Sequence, residues 1–277
     1  MPDILDNFAK KTLTRWRDIH KLQKHNWIYR GHPLACWHLE TTLERCCRRH
    51  SVVSRRITEV EQELCREFRR AYHQYASHVP DSNSVMEWLS LMQHHGAPTR
   101  LLDFTYSIYI AVYFAVENAT QDSAVWAMNF DWAMERSLDV LKLAKWSTAD
   151  LAKLKSRFTE RSEADVASHF LNTPNAKVVC PINPFRLNER LRVQKGLFLV
   201  PRDIEVSFME NLASMRGHDE EKNLFRLVIP AECARKARRR VFDMNITRRS
   251  LFPGLDGYSQ ALGVYHPVFR SHKPGRK

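Results

Sequence analysis

Apolar positions recur at intervals of three and four through residues 54–76, where Ile57, Val60, Leu64, Phe68, Ala71, Tyr72 and Tyr75 mark one face of a helix. A Ser84-x-x-Glu87 capping box opens a second helix, with Val85, Trp88, Leu89 and Met92 turned inward and Gly96 and Pro98 ending it. That register puts His94 and His95 in its last turn. The run YSIYIAVYFAVENA, 106–119, is apolar nearly all round and predicts a buried helix, capped by Thr105 or Ser107. Phe8, Leu13, Trp16 and Ile19 among Lys and Arg predict an amphipathic helix over 6–25. Branched and aromatic runs bounded by Pro, Asp or Gly predict strands at 26–31, 123–130, 176–182, 195–201 and 223–230. Further helices are expected at 147–171, opened by Ser147-x-x-Asp150, at 205–216, and under the basic run ARKARRR, 234–240. No Pro/Gly/Ser linker, repeat or low-complexity stretch interrupts the mixture. One α+β domain over 1–277 fits, with 147–171 as a helical insertion.

Charge sharpens this picture. The 277 residues carry a formal net charge of +12, and the pI is near 9.6, which favours an acidic partner such as nucleic acid or an anionic nucleotide. The bland alternative is a basic but otherwise ordinary surface. The six cysteines form no C-x-x-C pair and no His/Cys quartet at zinc spacing, so reduced thiols and no metal are expected. The N-terminal residues lack the apolar core of a signal peptide, and no run approaches the roughly 20 apolar residues of a membrane span. The expectation is a cytoplasmic protein without a membrane partner.

Four stretches carry more chemistry than packing requires. In Tyr29-Arg30-Gly31 a strand ends in a guanidinium followed by a residue without a Cβ, which lets a ligand approach the backbone. QHHGAPTRLLDFT, 93–105, gathers imidazoles, a guanidinium and a carboxylate at the entrance of an apolar helix. Asn188-x-Arg190 precedes Gln194-x-Gly196-x-Phe198, and Leu251-Phe252-Pro253-Gly254-Leu255-Asp256-Gly257 stands near the C-terminus. In this order the set resembles the FRG domain family, matching at Trp27 to Gly31, Gln93 to Thr105 with Ala111 to Ala115, Asn188 to Phe198, and Leu251 to Gly257. Ser107-Ile108 departs from the Asn-Pro of that pattern. His95 stands where an aromatic is common, which puts His94 forward as the functional imidazole.

The resemblance implies a stress, toxin or phage-defence protein, with an antitoxin or defence-system protein as partner. At one remove it implies a split, mostly antiparallel core similar to that of ADP-ribosyltransferases, with NAD as substrate. On that basis Arg30 grips the pyrophosphate, with Arg100 sharing the load. Asp103 orients Arg30, Arg100 or His94. Tyr29, Gly31, Thr99 and Gly196 complete the cofactor-binding set, and Arg30, His94, Gln194 and Glu63 the catalytic one. Gln194 matches the first position of the transferase pair, but the expected Glu is Gly196, so the acid must come from Glu63, Glu117, Glu205 or Asp256. Glu63 facing the cleft is the most economical choice.

Plainer roles stand beside each of these. Glu63 fits a solvated helix face, Arg100 and Asp103 an ion pair within the turn, His94 a helix cap, and Asp256 a turn residue. ARKARRR reads as a solvated face or as a phosphate-tracking patch. The functional reading is an NAD-dependent ADP-ribosyltransferase acting on nucleic acid or a nucleic-acid-associated target. The alternatives are an NAD glycohydrolase and a non-catalytic nucleic-acid-binding module that stacks bases on Trp27 and Tyr29. A metal-dependent nuclease using His94 and Asp103 is disfavoured by the lack of a carboxylate cluster.

Overall fold

Seven strands form one sheet in the order β1-β7-β4-β2-β3-β6-β5. They are β1 (Ala9–Thr12), β2 (Trp27–His32), β3 (Leu102–Thr105), β4 (Ser123–Asn129), β5 (Val179–Ile182), β6 (Gly196–Pro201) and β7 (Leu224–Ile229). Only β1 and β7 run parallel. The computed structural model describes residues 3–76, 78–143, 147–149, 151–152, 176–184, 188–215, 217 and 219–265. Around the sheet lie α1 (Ile19–Leu22), α2 (Thr42–Arg49), α3 (Ile57–Tyr72), α4 (Val85–His94), α5 (Ile108–Val116) and α6 (Phe130–Leu143). They are followed by α7 (Glu189–Val193), α8 (Phe208–Ala213), α9 (Glu220–Asn223), α10 (Ala231–Asp243), α11 (Arg248–Leu251) and α12 (Leu255–Tyr265). This is an α+β fold built on a mostly antiparallel sheet, as the alternation of patterns predicts.

Period-two alternation sends successive side chains of each strand to opposite faces. On one face Ile28, Trp126 and Met128 meet α4 through Met86, Leu89 and Met92, α6 through Trp132 and Ala133, and α8 through Phe208 and Leu212. On the other, Trp27, Tyr29, Val125 and Ala127 meet α5 and the Ala234, Ala237 and Val241 stripe of α10. The all-round apolar character of α5 follows from this, since α10 covers the side that the sheet leaves open. Ser107 caps α5, with its hydroxyl accepting from the Ile110 amide. Gly96 ends α4 at φ +84°, and the Ala97 amide closes the turn on the Met92 carbonyl.

Three readings of the pattern change. Residues 9–12 are an edge strand and not part of a helix, because pairing along β7 satisfies more backbone than the short apolar stripe of 6–25 can bury. Leu102–Thr105 is likewise a strand and not the end of a turn, with Leu102 and Phe104 buried. Four residues are too few for periodicity to register. Ser84 occupies the N-cap position of α4 without a side-chain cap bond. The expected helix over 147–171 falls almost wholly outside the described residues.

The sheet does not break into two, but it is pinched. β2 pairs with β4 along its whole length, from Trp27↔Asn129 to His32↔Ala124, and β3 pairs with β6 along its whole length, from Leu102↔Leu199 to Thr105↔Gly196. Between β2 and β3 the register holds a single pair, Tyr29 with Thr105. The split core expected from the resemblance is thus not seen: the seven strands stay in one sheet.

Candidate active site at the seam of the sheet

Arg30 stands immediately beyond the last pair between β2 and β3, on the face that carries Ile28 and, in register across β4, Trp126. Its Nη1 donates to the Asp103 carbonyl at 2.6 Å and its Nε donates to Nε2 of His32 at 3.2 Å. The guanidinium thus bridges the seam where the ladder stops. Nη2 donates to none of the described residues, and no carboxylate among them comes within ion-pair distance of this side chain. Burial lowers its pKa, the nearby Asp103 carboxylate opposes that shift, and Arg45 on α2 adds to it. A desolvated cation without a counter-ion is costly, and an anionic ligand relieves that cost.

His32 lies two residues along the strand and therefore on the same face. It is 6% exposed, and burial first, then Arg30, push its pKa down to about 3 against the pull of the Trp37 main chain, with Arg45 a smaller push in the same direction. Because Arg30 donates to Nε2, the neutral ring carries its proton on Nδ1, which has no hydrogen-bond partner among the described residues. Trp37, 50% exposed, stands edge-on to this imidazole at 6.4 Å between ring centres.

Across the seam, Oδ2 of Asp103 accepts from Nε2 of Gln93 at 3.0 Å, and the same amide reaches the Leu101 carbonyl at 3.3 Å. Gln93 Oε1 accepts from the Thr99 hydroxyl. Thr99 in turn is clamped to α2: its amide donates to the Thr42 hydroxyl at 2.9 Å, and its carbonyl accepts from that hydroxyl and from the Leu43 amide. A chain of hydrogen bonds from α2 through the turn thus fixes the Asp103 carboxylate beside Arg30.

The structure corrects several sequence expectations. Tyr29 is fully buried on the opposite face from Arg30, as strand alternation requires, so it lines no cleft with Arg30. Its hydroxyl donates to the Leu22 carbonyl and accepts from the Lys24 amide at 3.1 Å, and burial pushes its pKa up to about 12. Gly31 admits a helix and not a ligand: a Cβ there would run into the Ala111 carbonyl and the Ala115 amide of α5. Thr99 is fully buried and serves the clamp just described. Arg100 makes no pair with Asp103; it forms a buried, forked ion pair with Glu61 of α3, at 2.8 and 2.9 Å from Nε and with a further bond from Nη2.

Glu63 points to solvent and pairs with Arg66 at 2.6 Å, 56% exposed, so it does not face the cleft. The buried carboxylate of that helix is Glu61, which stands four residues after Ile57, three before Leu64 and seven before Phe68, so helical spacing places it on the apolar face and Glu63 off it. Gln194 is buried and donates from Nε2 to the Leu251 carbonyl at 3.0 Å, while its own carbonyl accepts from the Thr105 hydroxyl at 2.7 Å. It joins the third and fourth motifs to β3, which accounts for an amide at this position. Gly196 packs against Leu191 of α7, whose Cδ1 would have to shift to admit a Cβ there. Among the other acids, Glu117 is held by Arg248 at 2.9 and 3.1 Å and by Tyr113 at 2.5 Å, and Asp256 is exposed.

His94 closes α4 on the surface, where burial, His95 and Arg190 lower its pKa. Arg190 lies over the Phe252 ring, 4.8 Å from its centre, with Arg248 at 4.7 Å from the same ring. The second and fourth motifs therefore meet around Arg190. Of the sequence-selected residues, the seam brings together Arg30 and Asp103, and adds His32, Gln93 and Arg45. Spacing held a usable signal for His32, because residues two apart on a strand share a face.

The site's electrostatics set a pH dependence. On α2, burial and then Glu40 push the Glu44 carboxyl up to about 7, although Oε2 accepts from the Phe208 amide at 3.2 Å, which pulls the other way. With its folded pKa raised, Glu44 contributes stability that is full below about 4.5 and lost as the pH rises through 7. His32, with its folded pKa depressed, contributes stability that is full above about 6.5 and lost as the pH falls toward 3. Between about 4.5 and 6.5 the two slopes oppose each other. Glu44→Gln keeps the acceptor for Phe208 and removes one slope, so urea midpoints of the variant rise with pH through this window more steeply than wild type, by at most about 1.4 kcal/mol per pH unit. Parallel curves would contradict the assignment.

No helix among the described residues is long and apolar enough to cross a membrane, and no group of three or more His, Cys, Asp or Glu among them is placed to hold a metal ion. Residues 25–124 match the model of the FRG domain, a span that holds β2, the Gln93–Thr105 stretch and α5, whereas Gln194 and Leu251–Gly257 lie beyond it. No curated protein and no solved structure matches the chain. The chain therefore carries, from the strand of Arg30 to the start of β4, an FRG domain.

Proposed function

We propose that the seam between β2 and β3 binds NAD and that the protein transfers its ADP-ribose, with nucleic acid or a nucleic-acid-associated molecule as acceptor. The observation that carries this reading is Arg30: a desolvated guanidinium at the mouth of a pinched sheet, with Nη2 unengaged and no carboxylate paired to it. Such a fork suits a pyrophosphate oxygen. His32, neutral and behind it, leaves the full cationic charge on Arg30.

In the transfer the ribose–nicotinamide bond breaks, and its electron pair leaves with nicotinamide. The acceptor's nucleophile bonds to the ribose carbon and releases its proton to base or water. The oxocarbenium-like ribose in between calls for a nearby negative charge. Asp103 supplies it in this scheme, since its carboxylate stands beside Arg30 and is oriented by Gln93. Glu63 has no part. Arg190 and His94 are suited to the outer rim, where an acceptor enters.

Incubation with NAD labelled in its adenylate moiety tests the reading. Release of nicotinamide with label on a nucleic-acid or protein acceptor is expected, and Arg30→Ala lowers the rate about a hundredfold. Arg30→Lys recovers only part of it, because the fork is lost while the charge remains. Free ADP-ribose as the only product indicates a glycohydrolase. Absence of NAD consumption across acceptors overturns the proposal.

A further inference from the structure

Some surface cations elsewhere are matched within their own helical turn, while others, such as Lys10, Arg17, Arg49, Arg55 and Lys195, stand singly or in sequence pairs without an ion-pair partner among the described residues. Arg56 pairs with Glu59, Arg66 with Glu63, Arg70 with Glu67, Arg136 with Asp139 and Lys222 with Asp219. The helix α10 differs in gathering four such cations on one helix. Arg235, Lys236, Arg239 and Arg240 are exposed, and none has an ion-pair partner among the described residues, although Glu232 and Asp243 stand on the same helix.

The run is not uniform, and its exception is informative. Arg238 turns inward and caps the C-terminal end of α5, donating from Nε to the Val116 carbonyl at 2.8 Å and from Nη2 to the Ala119 carbonyl at 3.4 Å. Ala234, Ala237 and Val241 are buried against that helix. Structure therefore accounts for Arg238 and the apolar stripe, and leaves a second stripe of four cations at i, i+1, i+4 and i+5 with no internal task. Like charges at i,i+4 repel by a few tenths of a kcal/mol per pair, so the bare stripe is unfavourable without a counter-charge.

We infer that this face of α10 is a docking site for the phosphate backbone of a nucleic acid, and that docking is separated from the chemistry. The inference deepens the acceptor part of the function proposed above and rests on it only there. Nucleic acid is favoured over an anionic membrane because the cationic stripe carries no large apolar side chain to enter a bilayer: Ala234, Ala237 and Val241 of α10 face the protein. Separation follows from the sheet. α10 lies over the face of Tyr29 and α5, whereas Arg30 and His32 project from the other. A strand held on α10 thus tethers the protein near its target and does not occupy the site beside Arg30.

The test uses the full-length protein with Arg235, Lys236, Arg239 and Arg240 all changed to Gln, compared with wild type. Binding to a fluorescein-labelled 20-base-pair duplex is followed between 50 and 200 mM salt. Four released counter-ions correspond to a slope of log K against log salt of about −3.6, so the slopes of wild type and variant are expected to differ by three to four. That difference corresponds to about a hundredfold in the salt response of the wild type over this range. A melting temperature within 2 °C of wild type shows that the exposed substitutions leave the fold intact.

NAD consumption without nucleic acid is expected to be unchanged in the variant. Arg30→Ala is expected to leave duplex binding unchanged. Equal slopes and affinities for wild type and variant overturn the docking site whatever happens to NAD. Loss of binding to phosphatidylserine vesicles in the variant, with no duplex binding by wild type, overturns it in favour of a membrane. Intact docking with no NAD consumption sinks only the cleft reading.

Discussion

Glu61→Ala, made with Arg100 left in place, is expected to destabilise the protein by about 3–5 kcal/mol, a large part of the 5–15 kcal/mol typical of a domain. The side chains of Arg100 and Glu61 are 6% and 9% exposed, and three hydrogen bonds join them. Removing the carboxylate leaves a guanidinium out of water with only the Arg202 carbonyl, at 3.4 Å, as an acceptor among the described residues. Arg202 adds to the difficulty, because it too is buried and near enough to Arg100 that burial and this neighbour hold its pKa down at about 10. The double replacement Glu61→Leu with Arg100→Met removes both charges together and is expected to lie closer to wild type than either single change. Urea unfolding of the four proteins measures this. A single mutant within 1 kcal/mol of wild type, or a double mutant costing the sum of the singles, contradicts the account.

Gly31→Ala comes next in size, at about 3 kcal/mol or more, because the added methyl meets backbone rather than a movable side chain. The Ala111 carbonyl and the Ala115 amide, at 2.6 Å, both belong to the interior of α5, so relief requires moving the helix off β2. Gly96→Ala provides the contrast. Its Cβ would meet nothing within 4 Å, and at φ +84° the cost is the left-handed backbone alone, about 1–2 kcal/mol. The order of the two midpoints in urea decides the matter. If Gly31→Ala matched or exceeded Gly96→Ala in stability, the close approach of strand and helix would be refuted. The same substitution shifts β2 under Arg30, so NAD consumption is expected to fall with it.

These two effects show why the Tyr29-Arg30-Gly31 motif reads differently in three dimensions. Its three residues serve three separate ends: Tyr29 holds the Leu22–Lys24 loop from beneath, Arg30 spans the seam, and Gly31 lets α5 settle on the sheet. Only the middle one reaches across the seam. A motif on a strand is divided by the pleat, and the expectation that all three contact one ligand neglects that division. Similarly, Gln194 and Gly196 read as the remnant of a catalytic pair, yet one ties Leu251 to β6 and the other clears Leu191.

The sequence by itself determined the α+β class, most of the strands, the buried character of α5 and the termination of α4 at Gly96. Each of these rests on periodicity or on local backbone chemistry, which are properties of neighbouring residues. Tertiary structure decided the rest. That Glu61, inward by helical spacing, meets Arg100 is decided by the fold, because the two are 39 residues apart. Residues 9–12 become a strand only because β7 offers an edge, and Thr99 is a clamp only because α2 lies against it. The pinch between β2 and β3, which Arg30 bridges to the Asp103 carbonyl, arises from strands some seventy residues apart diverging after one pair, and no local pattern along the chain encodes that divergence.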